Sequence, residues 1–164
     1  IARMTADGRT DAPTGETAAV SARPFGEALA EDLSFLLARA NVQSLSAGNS
    51  ALAKVGLRVR SYSVLALAAD GSRPSQRDLA DFLRLDPSQV VALVDDLQAR
   101  GLVTREPDPN DRRANVVVAT TDGRELCDRA RLAAEQAEEK IYSGLSAAER
   151  ERLAAMLRSV AFPD

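Results

Sequence analysis

The sequence predicts a mainly α-helical fold with a single two-stranded hairpin. Three observations carry this: apolar side chains return at steps of three and four through most of the chain, capping signatures mark helix starts, and β-branched runs occur around one loop only. At 164 residues, one domain of ordinary size is expected, burying about 70% of the extended chain's surface. Hydrophobic residues make up 45% and aromatics only 4%, so the core must be built from small aliphatic side chains.

Residues 1–24 mix Gly8, Pro13, Gly15 and Pro24 with Thr, Asp, Ser and Ala, which reads as a polar tail with little to bury. From Phe25, the residues Leu29, Leu33, Leu36 and Ala40 trace one apolar stripe and predict a first helix to about Leu45, broken by Ser46, Gly48, Asn49 and Ser50. A shorter helix follows over 59–69 and stops at Asp70-Gly71. Ser75-Gln76-Arg77-Asp78 is a capping box, in which the serine hydroxyl accepts from an early amide while the aspartate reaches back, so a helix runs from Gln76 to Leu83. Asp86-Pro87-Ser88-Gln89 starts the next one at once, with Asp86 as cap, Pro87 at the first helical position and Gln89 completing the box. This helix buries Val90, Leu93, Val94 and Leu97 and ends at Gly101, which accepts the left-handed conformation. Strands over 102–106 and 116–120 flank a charged loop of Pro107, Asp108, Pro109, Asn110 and Asp111. Leu126, Ala130, Ala133, Ala137 and Ile141 trace a long amphipathic helix, and Ser146-Ala147-Ala148-Glu149 caps a last one on Leu153, Leu157 and Val160.

Composition narrows the function. The chain has no histidine, the usual general base near neutrality and the commonest metal ligand, which argues against hydrolases and zinc sites. Its nine glycines lie scattered at turns and helix ends rather than in a phosphate-cradling loop, so no enzyme and no cofactor is expected. Cys127 is the single cysteine, which fits a reducing compartment. Residues 1–25 lack the basic start and long apolar core of a signal peptide, and the apolar runs fall far short of a membrane span, so the expected location is the cytoplasm. The net charge of −3 does not by itself suggest a polyanionic partner.

The helices at 76–83 and 87–100, separated by about three residues, have the spacing of a helix-turn-helix, with Ala80 small enough for close approach. The hairpin directly after them makes the unit a winged helix. With Val90, Leu93, Val94 and Leu97 inward, the outward face of the second helix carries Ser88, Val91, Ala92 and Asp95, with Gln89 on its flank. Such a face suits the major groove of double-stranded DNA, where glutamine pairs with adenine and small apolar groups meet thymine methyls. Gln89 is equally readable as the partner of the cap at Asp86. At the hairpin tip, Arg112 and Arg113 beside Asp111 have the composition of a wing that reaches a minor groove, or of a solvated turn with an ion pair. The candidate DNA-binding residues are Ser75, Arg77, Ser88, Gln89, Val91, Ala92, Arg112 and Arg113.

Over 52–124 the chain resembles the MarR family of bacterial winged-helix transcriptional regulators, in Val55-Gly56-Leu57, Gln76 to Ala80, Leu85-Asp86-Pro87-Ser88, Leu93-Val94-Asp95, Gly101-Leu102-Val103 and Asp108-Pro109-Asn110-Asp111-Arg112-Arg113, with Gly123-Arg124 after the wing. It departs from that pattern at Arg84, where the turn often has glycine, at Arg58, where threonine is common, and at Asp96, where a basic residue is usual. The resemblance implies a ligand-responsive repressor, working as a homodimer on a palindromic operator. Its organisation would be a polar tail (1–24), a dimerisation helix (25–50), a DNA-binding lobe (51–121) and C-terminal dimerisation helices (122–164). The apolar stripes of the flanking helices are longer than one lobe can cover, which independently calls for a partner. In similar regulators a small aromatic or phenolic acid binds where the dimerisation helices meet the lobe, and here that junction would draw on Phe35, Arg39, Arg58 and Tyr62. Some relatives sense peroxide through a cysteine, but Cys127 lies between acidic neighbours, Asp128 and Glu125, that favour the neutral thiol. A redox sensor using Cys127 and a winged helix that binds protein instead of DNA are the alternative functions. Between Arg73 and Arg113, seven arginines face eight carboxylates, so DNA affinity would depend on a few placed groups.

Overall fold

The computed structural model describes residues 26–108, 111 and 114–163, which leaves the predicted tail over 1–24 outside the described residues. The described residues fall into two compact units, divided between Leu36 and Leu37. The first holds α1 (Glu27–Ala30) and the opening turn of α2 (Leu33–Leu52). The second continues with α3 (Val59–Ala69), α4 (Gln76–Leu83), α5 (Pro87–Ala99), β1 (Val103–Pro107), β2 (Asn115–Ala119), α6 (Thr121–Ile141) and α7 (Ala147–Ala161).

The expected first helix over 25–45 is corrected at both ends. Asp32 interrupts the stripe because its Oδ1 accepts the Phe35 N–H at 2.7 Å, a side-chain cap that starts α2 afresh. At the other end the small polar residues do not break the helix, because each has a tertiary or backbone task. Asn49 Oδ1 accepts the Val59 N–H at 2.9 Å and so satisfies the first turn of α3, while Ser50 Oγ donates to the Ser46 carbonyl at 3.0 Å. Gly48 lies so close to Val59 that an added Cβ would stand 2.9 Å from its Cγ2. The helix therefore runs on to Leu52, passes through a 3-10 turn at Ala53–Val55 and ends at Gly56, whose φ of 73° is left-handed.

The remaining elements follow the capping chemistry closely, and α3 and α4 keep their predicted bounds. The hairpin is antiparallel, with Val103 opposite Ala119 and Pro107 opposite Asn115, one residue displaced from the predicted strands. Thr120 starts α6 earlier than its apolar stripe suggested: its hydroxyl accepts the Gly123 N–H at 3.0 Å and donates to the Gly101 carbonyl at 2.8 Å.

The core of the second unit is aliphatic throughout. Leu52, Val64, Leu65, Leu79, Val90, Val94, Leu97, Val103 and Val117 are fully buried, so α2, α3, α4, α5 and both strands meet around one cluster. Each contributes about 1.5–3 kcal/mol relative to exposure. Outside this cluster the apolar surface is left uncovered. Val42 on α2, Leu132 on α6 and Met156 and Val160 on α7 are all more than half exposed, and α7 buries no residue fully. Phe162, just past α7, stacks at 5.7 Å on Phe82 of α4. No helix among the described residues is long and apolar enough to cross a membrane.

Two backbone positions test this packing. Arg84 closes α4 in the left-handed conformation, φ 52°, where a side chain is strained by about 1–2 kcal/mol. Arg84→Gly relieves that strain, partly offset by the freer unfolded chain, and raises stability in urea by up to ~1 kcal/mol. Gly123 is backed directly against the Leu102 carbonyl, which a Cβ would overlap. Gly123→Ala lowers stability by about 1–3 kcal/mol in the same assay. An unchanged midpoint for either variant contradicts the corresponding contact.

Candidate nucleic-acid interface

The start of α4 is closed by a reciprocal cap. Ser75 Oγ accepts the Asp78 N–H at 3.2 Å, and Asp78 Oδ2 accepts from both the Ser75 N–H and the Ser75 hydroxyl, at 2.9 and 2.7 Å. These hydrogen bonds hold the Asp78 carboxyl below the usual carboxylate range. The hydroxyl of Ser75, one of the candidate DNA-binding residues, is therefore engaged within the helix start. Arg77, next to it, is almost wholly exposed, with a long 3.9 Å ion pair to Asp81.

The start of α5 departs from the predicted box. Asp86 Oδ1 accepts the Ser88 N–H at 2.8 Å and also the Ser88 hydroxyl, and these bonds lower the Asp86 pKa. Ser88 donates both its N–H and its hydroxyl to the cap carboxylate, and among the described residues no side chain reaches back to the Asp86 N–H, so the reciprocal half of the box expected of Gln89 is not formed. Gln89 is exposed, and its side chain has no hydrogen-bond partner among the described residues. Ser88, Gln89, Val91 and Ala92 are all exposed at the N-terminal end of the helix, while Val90, Val94 and Leu97 are buried on its other side.

Asp95, placed by the sequence on the same outward face, is not free. The Arg105 guanidinium, from β1, donates through one terminal nitrogen to Asp95 Oδ1, through the other to Gln98 Oε1 at 2.6 Å, and through Nε to Gln76 Oε1 at 2.7 Å. One side chain joins α4, α5 and the wing, with all three of its faces used. Sequence reading overlooked it, although a signal was present: Val103 and Arg105 are two apart on one strand and share a face, so an arginine there needs acceptors. A second attachment lies beside it. Arg73 donates to Glu106 Oε2 at 2.8 Å, Val117 N–H donates to the Pro74 carbonyl at 2.8 Å, and Ser75 bridges Val116. The wing is thereby pinned to the approach of α4. At its tip the Asp108 N–H donates to the Ala114 carbonyl at 3.0 Å and the Ala114 N–H to the Asp111 carbonyl at 2.9 Å. Arg112 and Arg113 lie outside the described residues.

Of the four residues expected at one effector junction, Arg58 and Tyr62 line different spaces. Tyr62 lines a cavity of about 340 Å³ between α2, α3 and α6. Arg58 lines a different depression with Asn49, Asp96 and Arg100. Arg58 precedes the first turn of α3 and leaves toward α5, whereas Tyr62 lies one turn inside the helix and faces α2 and α6. Arg39 is exposed on α2, and Phe35 belongs to the N-terminal unit. Burial raises the Tyr62 pKa, so its phenol stays protonated. Burial, and next the Asp128 carboxylate, raise the Cys127 thiol, the opposite of what a reactive thiolate needs.

Comparison with known proteins agrees with this architecture. A model of the MarR family matches residues 55–114, the span from the 3-10 turn to the wing tip. A MarR-family transcriptional regulator from Rhodococcus sp. RHA1 is 43% identical, over 84% of this chain and 98% of that one, with a TM-score of 0.79. CouR from Rhodococcus jostii RHA1, solved with p-coumaroyl-CoA, is 41% identical over 84% and 96% of the two chains, with a TM-score of 0.76. A transcriptional repressor CouR solved on a 23-mer DNA duplex is 29% identical over 85% and 99%, with a TM-score of 0.77. Against curated transcriptional regulators, the match spans 63% and 58% of their length.

The two capping carboxylates make the helix pair sensitive to acid. A carboxyl held down in the folded chain stabilises it above the unfolded pKa, about 3.9 for aspartate, and that contribution is lost as pH falls through the folded value. The double variant Asp78→Asn, Asp86→Asn keeps cap acceptors that do not titrate. Its urea midpoint is expected to fall less between pH 7 and pH 3 than that of the parent chain. Equal falls would show that these caps do not titrate with folding.

Proposed function

Because the chain belongs to the MarR family of transcriptional regulators, we propose that it binds a palindromic DNA operator as a homodimer and represses transcription until an effector binds. The observation that carries this reading is the exposed N-terminal end of α5, with an unpartnered Gln89 beside small side chains, on a helix held by Arg105. In this reading α5 enters the major groove. Gln89 pairs with an adenine edge, Val91 and Ala92 meet thymine methyls, and Ser88 contributes where its hydroxyl is not on Asp86. Ser75 and Arg77 approach the backbone from the start of α4, and Arg112 and Arg113 carry the wing to the adjacent minor groove. The DNA-bound repressor among the relatives supports the same use of the fold.

The dimer reading rests on uncovered apolar surface. Val42, Leu132, Met156 and Val160 are exposed by 55–71%, on helices assigned to dimerisation (25–50 and 122–164), with 51–121 as the reading lobe. Two lobes would then meet successive major grooves, about 34 Å apart. The relative solved with p-coumaroyl-CoA supports an effector that carries an aromatic group. No enzymatic role is proposed, and the cytoplasm, where the operator would be met, is the proposed location.

Gel shifts with DNA from upstream of the chain's own gene, at low salt, test the reading. The chain should retard one fragment selectively. Gln89→Ala should lower discrimination between operators more than overall affinity, whereas Arg112→Ala and Arg113→Ala should weaken all sequences and reduce the salt slope by about one each. Arg105→Gln should weaken binding with the salt slope unchanged, since Arg105 orients α5 and the wing without touching phosphate. Failure of every fragment to shift, with the two wing variants indistinguishable from the parent, would instead make the lobe a protein-interaction module.

A further inference from the structure

The end of α7 is set by its sequence. Pro163 cannot continue a helical ladder and biases the residue before it away from the helical region, so Phe162 leaves α7 at φ −130° and ψ 71°. Its N–H still donates to the Arg158 carbonyl at 2.9 Å, which fixes where the ring departs. That ring meets Phe82 of α4, with centroids 5.7 Å apart and planes tilted by 30°, inside the range of favourable aromatic pairs. It is the one ring contact among the described residues. Both rings stay more than half exposed, at 56% and 60%, so the pair adds little to the core.

Nothing local to α4 explains an exposed phenylalanine. The helix buries Leu79 and Ala80, and Gln76, Arg77, Asp78 and Asp81 are polar. With Phe162 in place, the two ends of α4 are held by different parts of the chain. Ser75 and Gln76 at its start are fixed by the wing strands, through Val116 and Arg105. Phe82, near its end, is touched by the arm that leaves the lobe. That arm begins with Gly123 of α6 against the Leu102 carbonyl, runs about 31 Å over the 21 residues of α6, and returns over the 15 residues of α7. Glu138 and Tyr142 line one small cavity with Leu153 and Leu157, so the two helices lie side by side. The packing of α3 on α6 is apolar and tolerates small rocking at this junction. A second attachment, from the returning helix to α4, closes a triangle and fixes the angle.

We propose that Phe82 and Phe162 are positioning residues for operator recognition: by bracing α4 against α7 they set the angle of each reading lobe on its arm, and hence the half-site spacing that the dimer accepts. The proposal rests on the homodimer-on-operator reading and deepens it, by assigning how the separation of the two lobes is fixed. Neither ring touches DNA. Gln89 and the wing read sequence within a half-site, whereas the aromatic pair decides which two half-sites can be met at once. One inserted base pair moves a half-site by about 3.4 Å and turns it by about 35°, so a small change in lobe angle is enough to matter.

Two measurements on the full chain test this. The first needs no DNA: spin labels on Ala99→Cys, an exposed position of α5, in a Cys127→Ser background, report the distance between the two lobes. Phe162→Ala should broaden or shift that distribution, Phe82→Ala should do the same, and the double variant should do no more than either. Phe162→Tyr keeps the ring and should match the parent. The second is a gel-shift series on an operator with one or two base pairs inserted or deleted between its half-sites. The parent should lose about tenfold or more on a changed spacing, because DNA or protein must deform to meet both half-sites again. In the alanine variants the loss should narrow to about threefold, since such an aromatic pair is worth a factor of a few. Discrimination between half-site sequences should be unchanged, and the thermal midpoint should fall by no more than about 4 °C. Unaltered lobe distances, an unaltered spacing preference, or additive effects in the double variant overturn the proposal. Loss of the dimer in both alanine variants also overturns it, because the contact would then hold the assembly together instead of setting its spacing. A parent that shifts no fragment while its lobe distances respond as expected would count against the operator reading and leave the brace standing.

Discussion

The orientation of α5 depends on the Arg105 guanidinium. Burial of Val90, Val94 and Leu97 decides which side of the helix faces the core, but apolar packing is tolerant of rotation and sliding along the axis. Three directional hydrogen bonds from one planar group are not. By holding Gln76, Asp95 and Gln98 together, Arg105 couples the start of α4, the middle of α5 and the first wing strand. Arg73 and Glu106 repeat the device one residue further along the wing. The exposed side of α5 can then be populated by small, uncharged side chains, because none of them has to stabilise the fold.

The same arrangement resolves an apparent contradiction in the charge pattern. A lobe with more carboxylates than arginines between Arg73 and Arg113 looks ill suited to a polyanion. Several of those carboxylates are spent internally: Asp78 and Asp86 cap helices, Asp95 and Glu106 hold arginines, and Asp96 pairs with Arg100. Capping aspartates also sit against the positive ends of α4 and α5, so the field near each helix start is weaker than the formal count implies. What is left to face a partner is a small set of side chains at defined positions, which favours discrimination over broad electrostatic affinity.

Away from the lobe, the chain is economical in a different way. The core of the second unit is closed by α2, α3 and α6, while α7 contributes no buried residue and the space between α2 and α6 is left partly open. Ala47, Ala51, Ala133 and Ala137, with Gly48 beside them, line much of this space and leave it unfilled. A helix region that leaves both uncovered apolar surface and lined cavities suits assembly and ligand response together. Within the second unit α3 touches both α6 and α5, so a change in how α6 packs would reach α5 through α3.

Helix starts, the wing and the buried face of α5 were legible in the sequence because near-neighbour chemistry sets them. Ser75 and Asp78, and Ser146 and Glu149, each complete their cap within four residues, while the single-sided caps of Asp32 and Thr120, equally local, carry no box pattern to mark them; apolar spacing chooses a helix face wherever the helix ends up. Reading failed where a residue's partner is remote in the chain. Asn49 and Gly48 look like helix breakers until Val59 lies against them, Arg105 looks like a surface charge until Gln76 and Asp95 come within reach, and Arg58 and Tyr62 look like neighbours until they point into different spaces. Local pattern thus determined which segments are helical and which sides of them are apolar. Only the tertiary structure decided which polar groups are consumed within the fold and which remain available, because that depends on distances between residues that the linear order does not encode.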